Sequence, residues 1–283
     1  MSRALVLGGG GVTGIAWELG LLTGLRDEGL DLTGADVVVG TSAGSAVGAQ
    51  ITSGADVAEL YAREVASGRP GRENREKPVE LDVEQFMTAM AAAARGVTGA
   101  QEFRARIGRL ALEADTVPEA ERVEIIASRL PSREWPGRSL LVTAVDTETG
   151  ELVVWTRESG VPLVSAVAAS CAVPVVWPPV TIDGRRYMDG GIRSGTNADL
   201  AAGAESVIVV APIADMPTFP GTGLEAELAA LGDGVRTAVV HPDESAVAAI
   251  GPNVLDPRRR AVAAEAGRVQ GAALADVLRD VWI

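Results

Sequence analysis

The chain has 283 residues, 47% of them apolar, enough to bury a sizeable core in one large domain. Its formal charge of −13 argues against a nucleic-acid partner and gives no general pull toward anionic membranes. With one cysteine, Cys171, and one histidine, His241, neither a disulfide framework nor a His/Cys metal cluster can be assembled. Any chemistry must come from oxygens and backbone, with no metal and no cofactor expected.

Met1-Ser2-Arg3 runs straight into a strand-like segment, so no signal peptide is expected there, and no apolar run reaches the length of a membrane span. The expected location is cytoplasmic. Ala4 to Leu7 reads as a buried parallel strand, and Ile15 to Glu28 as a helix with Leu19, Leu22 and Leu25 at helical spacing. Between them lies Gly8-Gly9-Gly10-Gly11-Val12-Thr13-Gly14, a glycine run at a helix N-terminus, where free N–H groups and the helix dipole favour negative charge.

That run also satisfies G-x-G-x-x-G. A dinucleotide site wants an acidic residue at the end of the next strand, whereas Val37 to Val39 ends in Gly40. A phosphate-binding P-loop is excluded because no Gly-Lys-Ser/Thr follows the glycines. An oxyanion hole is the remaining use of the loop.

Gly40-Thr41-Ser42-Ala43-Gly44 is G-x-S-x-G between that strand and a helical run from Ser45 to Ser53. In this context a serine is held exposed on a sharp turn, so Ser42 is the candidate nucleophile. Taken alone, the same small residues could serve only close packing.

Helices then dominate: Asp56 to Ala66, Asp82 to Arg95, Gln101 to Glu113, and one capped at Thr116-Val117-Pro118-Glu119 that runs to about Arg129. Gly68 to Pro78 is a polar interruption. The stretch 56–133 reads as a helical insertion or lid, or equally as a flank covering the sheet, with Phe86, Met87 and Met90 as core or lipid contacts.

Leu140 to Val145 and Leu152 to Trp155 form a hairpin in which Asp146 is a turn former. Pro162 to Cys171 is a small-residue helix, with Cys171 a buried small side chain. A second hairpin over Val180 to Tyr187 leads to Asp189-Gly190-Gly191. Ser206 to Val210 and Thr237 to Val240 are further strands, and Asp256-Pro257 caps a last helix toward Val281.

The glycine loop in Leu5 to Gly14, Gly20 to Leu30, Val37 to Gly54, Val142 to Glu151, Ala166 to Pro179 and the D-G-G of Tyr187 to Gly191 follow one another in the order of a known family. On these blocks the sequence resembles bacterial patatin-like phospholipases. The resemblance implies one domain over 1–283: a three-layer α/β/α fold with a central, mostly parallel sheet and 56–133 as the insertion. It also implies a lipid acyl hydrolase with a Ser42–Asp189 dyad, an oxyanion hole at Gly9, Gly10 and Gly11, a lipid or acyl ester as partner, and at most peripheral membrane contact.

Two positions depart from the family pattern. Thr13 stands where a basic residue is usual, and Arg193-Ser194-Gly195-Thr196-Asn197 lacks the usual proline. Two alternatives follow: a weak or inactive member that binds acyl groups, and a Ser-His-Asp esterase, because Ser42, Asp189 and His241 occur in the chain order of an α/β-hydrolase triad.

Overall fold

The computed structural model describes residues 2–67, 83–213 and 223–283. The polar stretch Gly68 to Pro78 lies outside the described residues. The chain opens with β1 (Arg3–Leu7), α1 (Gly11–Asp27), β2 (Val37–Gly40), α2 (Ala43–Thr52) and α3 (Val57–Val65). Then come α4 (Val83–Ala94), α5 (Ala100–Glu113), α6 (Glu119–Ala127), β3 (Ser139–Asp146), β4 (Leu152–Trp155) and α7 (Leu163–Ser170). The remainder is β5 (Val180–Ile182), β6 (Arg185–Asp189), β7 (Ser206–Val210), α8 (Leu224–Ala230), β8 (Arg236–Val240), α9 (Glu244–Ile250) and α10 (Arg260–Trp282).

The apolar runs become strands buried on both faces. Leu5 and Leu7 of β1, with Ile208 and Val210 of β7, enter a core shared with α1, α2, α7 and α10. Ala4, Val6, Val207 and Val209 point the other way, against α8 and the short turn at Ala198–Ala201. Because neither face meets water, these strands read as continuous apolar runs rather than alternating ones. Helices on both sides of the sheet give three layers.

Strands β8, β7, β1, β2 and β3 are parallel neighbours in that order, and β4, β5 and β6 supply the antiparallel pairings. Close backbone approach locks α1 to α10. A Cβ on Gly20 would lie 2.1 Å from the Ala264 carbonyl oxygen, and one on Gly271 would lie 2.2 Å from that of Leu21. No side chain larger than hydrogen fits there.

The helices between 56 and 133 are spread over three places. α3 packs on α1 and α10, and α6 packs on α7. Phe103, Ile107 and Ala111 of α5 join Ala93 of α4 against Val145 and Met188, the residue before Asp189. Met90 lies against this cluster.

Some boundaries differ from expectation. α1 starts inside the glycine run, at Gly11, so the loop's last glycines form the first helical turn. Pro118 rather than Thr116 stands at the start of α6, because the Thr116 hydroxyl turns to the Val117 carbonyl. Asp256 caps a 3₁₀ turn, Pro257–Arg259, that leads into α10. Asp146 is the expected turn former: its Oδ1 accepts from the Glu148 and Thr149 N–H groups.

Candidate active site

The sheet register explains how two residues 147 positions apart meet. Val142 of β3 pairs with both Gly40 of β2 and Trp155 of β4, and Ala144 pairs with both Val153 of β4 and Asp189 of β6. A strand has two edges, so β4 takes one of them, and β2 and β6 share the other. β2 runs up that edge and ends at Gly40 opposite Val142, while β6 runs down it and ends at Asp189 opposite Ala144. Two strand ends therefore abut, with only Thr143 between them. The elbow serine leaves one end and the aspartate closes the other.

Ser42 has φ 52° and ψ −115°, a backbone region that non-glycine residues avoid at a cost of about 1–3 kcal/mol. The surroundings impose it. A Cβ on Gly44 would lie 2.0 Å from the Leu7 carbonyl oxygen, so α2 is pressed against the end of β1. The Gly44 N–H donates to the Gly8 carbonyl at 2.9 Å, and the Ser42 N–H donates to Ser170 Oγ at 2.9 Å. The Ser42 carbonyl accepts from the Ser45 hydroxyl and from the Cys171 thiol. Such strain held at a serine between a strand and a helix is the backbone geometry of a nucleophile elbow.

The Ser42 hydroxyl donates to Asp189 Oδ2 at 2.7 Å, and the Gly191 N–H donates to Asp189 Oδ1 at 2.7 Å. Asp189 is 4% exposed. Burial pushes its carboxyl up to about 7, against the opposing pull of the Ser42 and Gly191 hydrogen bonds. Gly190 must lack a side chain, because a Cβ would lie 2.3 Å from Thr143 Oγ1. The two glycines thus do different work, one permitting close approach and the other supplying an N–H.

The glycine loop lies over the serine: a Cβ built on Gly9 would sit 3.5 Å from the Ser42 Cβ. Its N–H groups are not equivalent. That of Gly8 donates to the Val210 carbonyl, and that of Gly9 to the Gly195 carbonyl at 2.8 Å. The N–H groups of Gly10 and Gly11 carry no protein acceptor among the described residues, and neither does that of Ala43, the residue after the serine. Gly11 needs its positive φ of 61°, and the Val254 carbonyl approaches too closely for a side chain.

Thr13 is fully buried and donates through both its N–H and its hydroxyl to the Val254 carbonyl at 3.1 Å. Where a basic residue is usual, this chain has a neutral anchor. His241 is exposed and bonds to the Ala211 carbonyl through Nδ1; both Asp189 oxygens bond to groups other than His241. Cys171 is buried, as expected, and burial raises its thiol to about 11. Among the described residues no cluster of three or more His, Cys, Asp or Glu is placed to hold a metal, and no helix is long and apolar enough to cross a membrane.

Sequence reasoning missed Ser170, Thr143, Gly195 and Asn197, all tied by hydrogen bonds to the elbow or the glycine loop. Only Asn197 carried a signal, as an asparagine able to adopt the left-handed conformation shortly after D-G-G.

The chain is 44% identical over 71 residues to lysophospholipase NTE1 of Phaeosphaeria nodorum, and 45% over 62 residues to lysophospholipase nte1 of Aspergillus niger. These stretches cover 25% and 22% of this chain and 4% of each relative, so the chain spans a small part of the curated relatives it matches. In structure it is similar to VipD from Legionella pneumophila, with TM-score 0.46 and 15% identity over 98% of this chain and 66% of that one. A further similarity is to the type III effector protein ExoU, with TM-score 0.41 and 17% identity over 98% of this chain and 53% of that one. The model of the family described as patatin-like phospholipase matches residues 5–202, well over half of the chain and including both Ser42 and Asp189. The chain belongs to the patatin-like phospholipase family.

Proposed function

We propose that the protein is a serine lipid acyl hydrolase working through a Ser42–Asp189 dyad and an acyl-enzyme. The observation that carries this reading is the 2.7 Å hydrogen bond from a strained serine to a buried carboxylate. Ser42 Oγ attacks the ester carbonyl carbon while its proton passes to Asp189 Oδ2. Negative charge grows on the carbonyl oxygen, and the Gly10, Gly11 and Ala43 N–H groups are the donors free to receive it; one such donor is worth about 10²- to 10³-fold in rate. Collapse of the tetrahedral intermediate expels the alcohol, which takes the proton from Asp189. The carboxylate then draws a proton from water, the hydroxide attacks the acyl-enzyme, and collapse releases the fatty acid and returns the proton to Ser42.

A carboxylate is a weak base for an alcohol. Burial offsets this by raising Asp189 to about 7, close to the pH at which it must both accept and return a proton. Gly9 would join the oxyanion donors only if its N–H left the Gly195 carbonyl.

Substrates on this reading are phospholipids, lysophospholipids or acylglycerols, and the names of the fungal relatives favour lysophospholipids. α4 and α5, packed beside Met188, are the helices best placed to cover an acyl chain. The protein would act in the cytoplasm with at most peripheral membrane contact. A weak, acyl-binding member is the competing reading, favoured by neutral Thr13 and by the engaged Gly9 N–H.

Turnover separates the two. Lysophospholipid, diacyl phospholipid, monoacylglycerol and short acyl esters are offered to the wild type and to Ser42→Ala. Hydrolysis of a member of this panel is expected, with a loss of at least about 10³-fold in Ser42→Ala. No turnover by folded wild type would overturn the hydrolase reading.

A further inference from the structure

We propose that Asn197 is a positioning residue that sets the distance between the nucleophile elbow and the base. This rests on the Ser42–Asp189 reading above and extends it to a side chain that touches neither residue. Asn197 is fully buried and left-handed, with φ 53° and ψ 42°. Its amide nitrogen donates to Thr41 Oγ1 at 3.0 Å and to the Ser194 carbonyl at 2.9 Å, with the Gly190 carbonyl at 3.4 Å. Its Oδ1 accepts from the Arg193 guanidinium at 2.8 Å, which leaves only one way round for the amide.

Thr41 immediately precedes Ser42, and Gly190 immediately follows Asp189. One planar amide therefore spans the gap where β2 and β6 abut. The Thr41 hydroxyl, holding the Asn197 donor, lies 2.9 Å from Thr143 Oγ1, and Thr143 occupies the gap itself. The same loop supplies the Gly195 carbonyl that holds the Gly9 N–H. All three parts of the site are thus referred to one short segment.

That segment is secured from behind. Glu227 of α8, beyond the residues matched to the family, accepts from the Thr196 hydroxyl at 2.7 Å and from the Ala198 N–H at 2.8 Å. Arg193 pairs with Asp199 at 2.6 Å. These bonds make Asn197 a fixed reference rather than a mobile one. A displacement of the serine by about 1 Å is enough to cost on the order of 10²-fold in rate.

The test is the reaction of a fluorophosphonate probe with wild type, Asn197→Gly, Thr41→Val and Thr41→Ser, reading the rate constant, the final labelled fraction and the melting temperature. Glycine is chosen because it accepts the left-handed backbone without strain. The expected result is full final labelling of Asn197→Gly, as in wild type, at a rate lower by about 10- to 100-fold. Thr41→Val is also slowed, and Thr41→Ser regains most of that loss.

A reduced labelled fraction at an unchanged rate would mean that Asn197 serves only folding, and would overturn the proposal. So would a wild-type rate in folded Asn197→Gly. If Asn197→Gly does not fold, equal rates for Thr41→Val and Thr41→Ser overturn it. Wild type that does not label at all overturns the Ser42 reading itself, and this inference with it.

Discussion

Among the buried acids of the described residues, burial raises two, Asp189 at the end of β6 and Glu18 in the middle of α1, above the ordinary carboxylate range, and they differ in what faces them. Glu18 is fully buried, and neither of its carboxyl oxygens has a hydrogen-bonding partner among the described residues. Burial pushes it well above the ordinary carboxylate range, against the opposing pull of the Gly8 amide, which donates to the Val210 carbonyl. Asp189 is raised by the same cause but holds a serine on one oxygen and an N–H on the other. A displaced pKa alone therefore does not mark a base; a nucleophile within reach does.

The sharpest way to break this contrast is Asp189→Asn. Activity should fall by about 10²- to 10⁴-fold, the usual worth of a general base. In wild type, kcat/KM should climb with pH through about 7, because only the ionised Asp189 accepts the serine proton. The sign for stability runs the other way. The folded Asp189 keeps its proton up to about 7, whereas the unfolded one releases it near the ordinary carboxylate value of about 4. Between these values the folded state binds the extra proton, so stability falls as pH rises. Asp189→Asn removes that dependence and should melt higher than wild type at pH above 7, read by thermal melts across pH.

A smaller loss is expected from Ser170→Ala. The Ser42 N–H then has no acceptor, which costs about 1–3 kcal/mol for a buried donor and loosens the strained turn. The fall in kcat should exceed any rise in KM, because the turn rather than substrate contact is disturbed. Steady-state kinetics beside a melting curve reads both.

Glu18→Gln should change activity least of these three. Its effect is on stability: the wild-type folded state must hold a proton that the unfolded chain releases, and glutamine has none to release. The melting-temperature advantage of Glu18→Gln should therefore grow as pH rises from acid toward neutral and beyond. A large loss of turnover in folded Glu18→Gln would erase the distinction between the two acids.

Much of this was legible in the sequence because local chemistry and tertiary role coincide. Ala4 to Leu7, Val37 to Val39 and Ser206 to Val210 are apolar because they are buried on both faces, and they became β1, β2 and β7. Ser42 and Asp189 stood out through glycines that the backbone needs for close approach. The meeting of β2 and β6 on one edge of β3 was not legible, since it depends on pairings between segments far apart in the chain. Nor were α8 and α9, each seven residues long and too short for a helical period to emerge. Ser170 carries no signal and Asn197 only an asparagine's tolerance of the left-handed region; their roles come from where other elements place them.

The most direct measurement on the central claim is fluorophosphonate modification of wild type, Asp189→Asn and His241→Ala, with the modified residue located by mass spectrometry. The account predicts a single adduct on Ser42, formed by His241→Ala at close to the wild-type rate and by Asp189→Asn at least about 10²-fold more slowly. An adduct on another residue, or a loss in His241→Ala as large as that in Asp189→Asn, would contradict it.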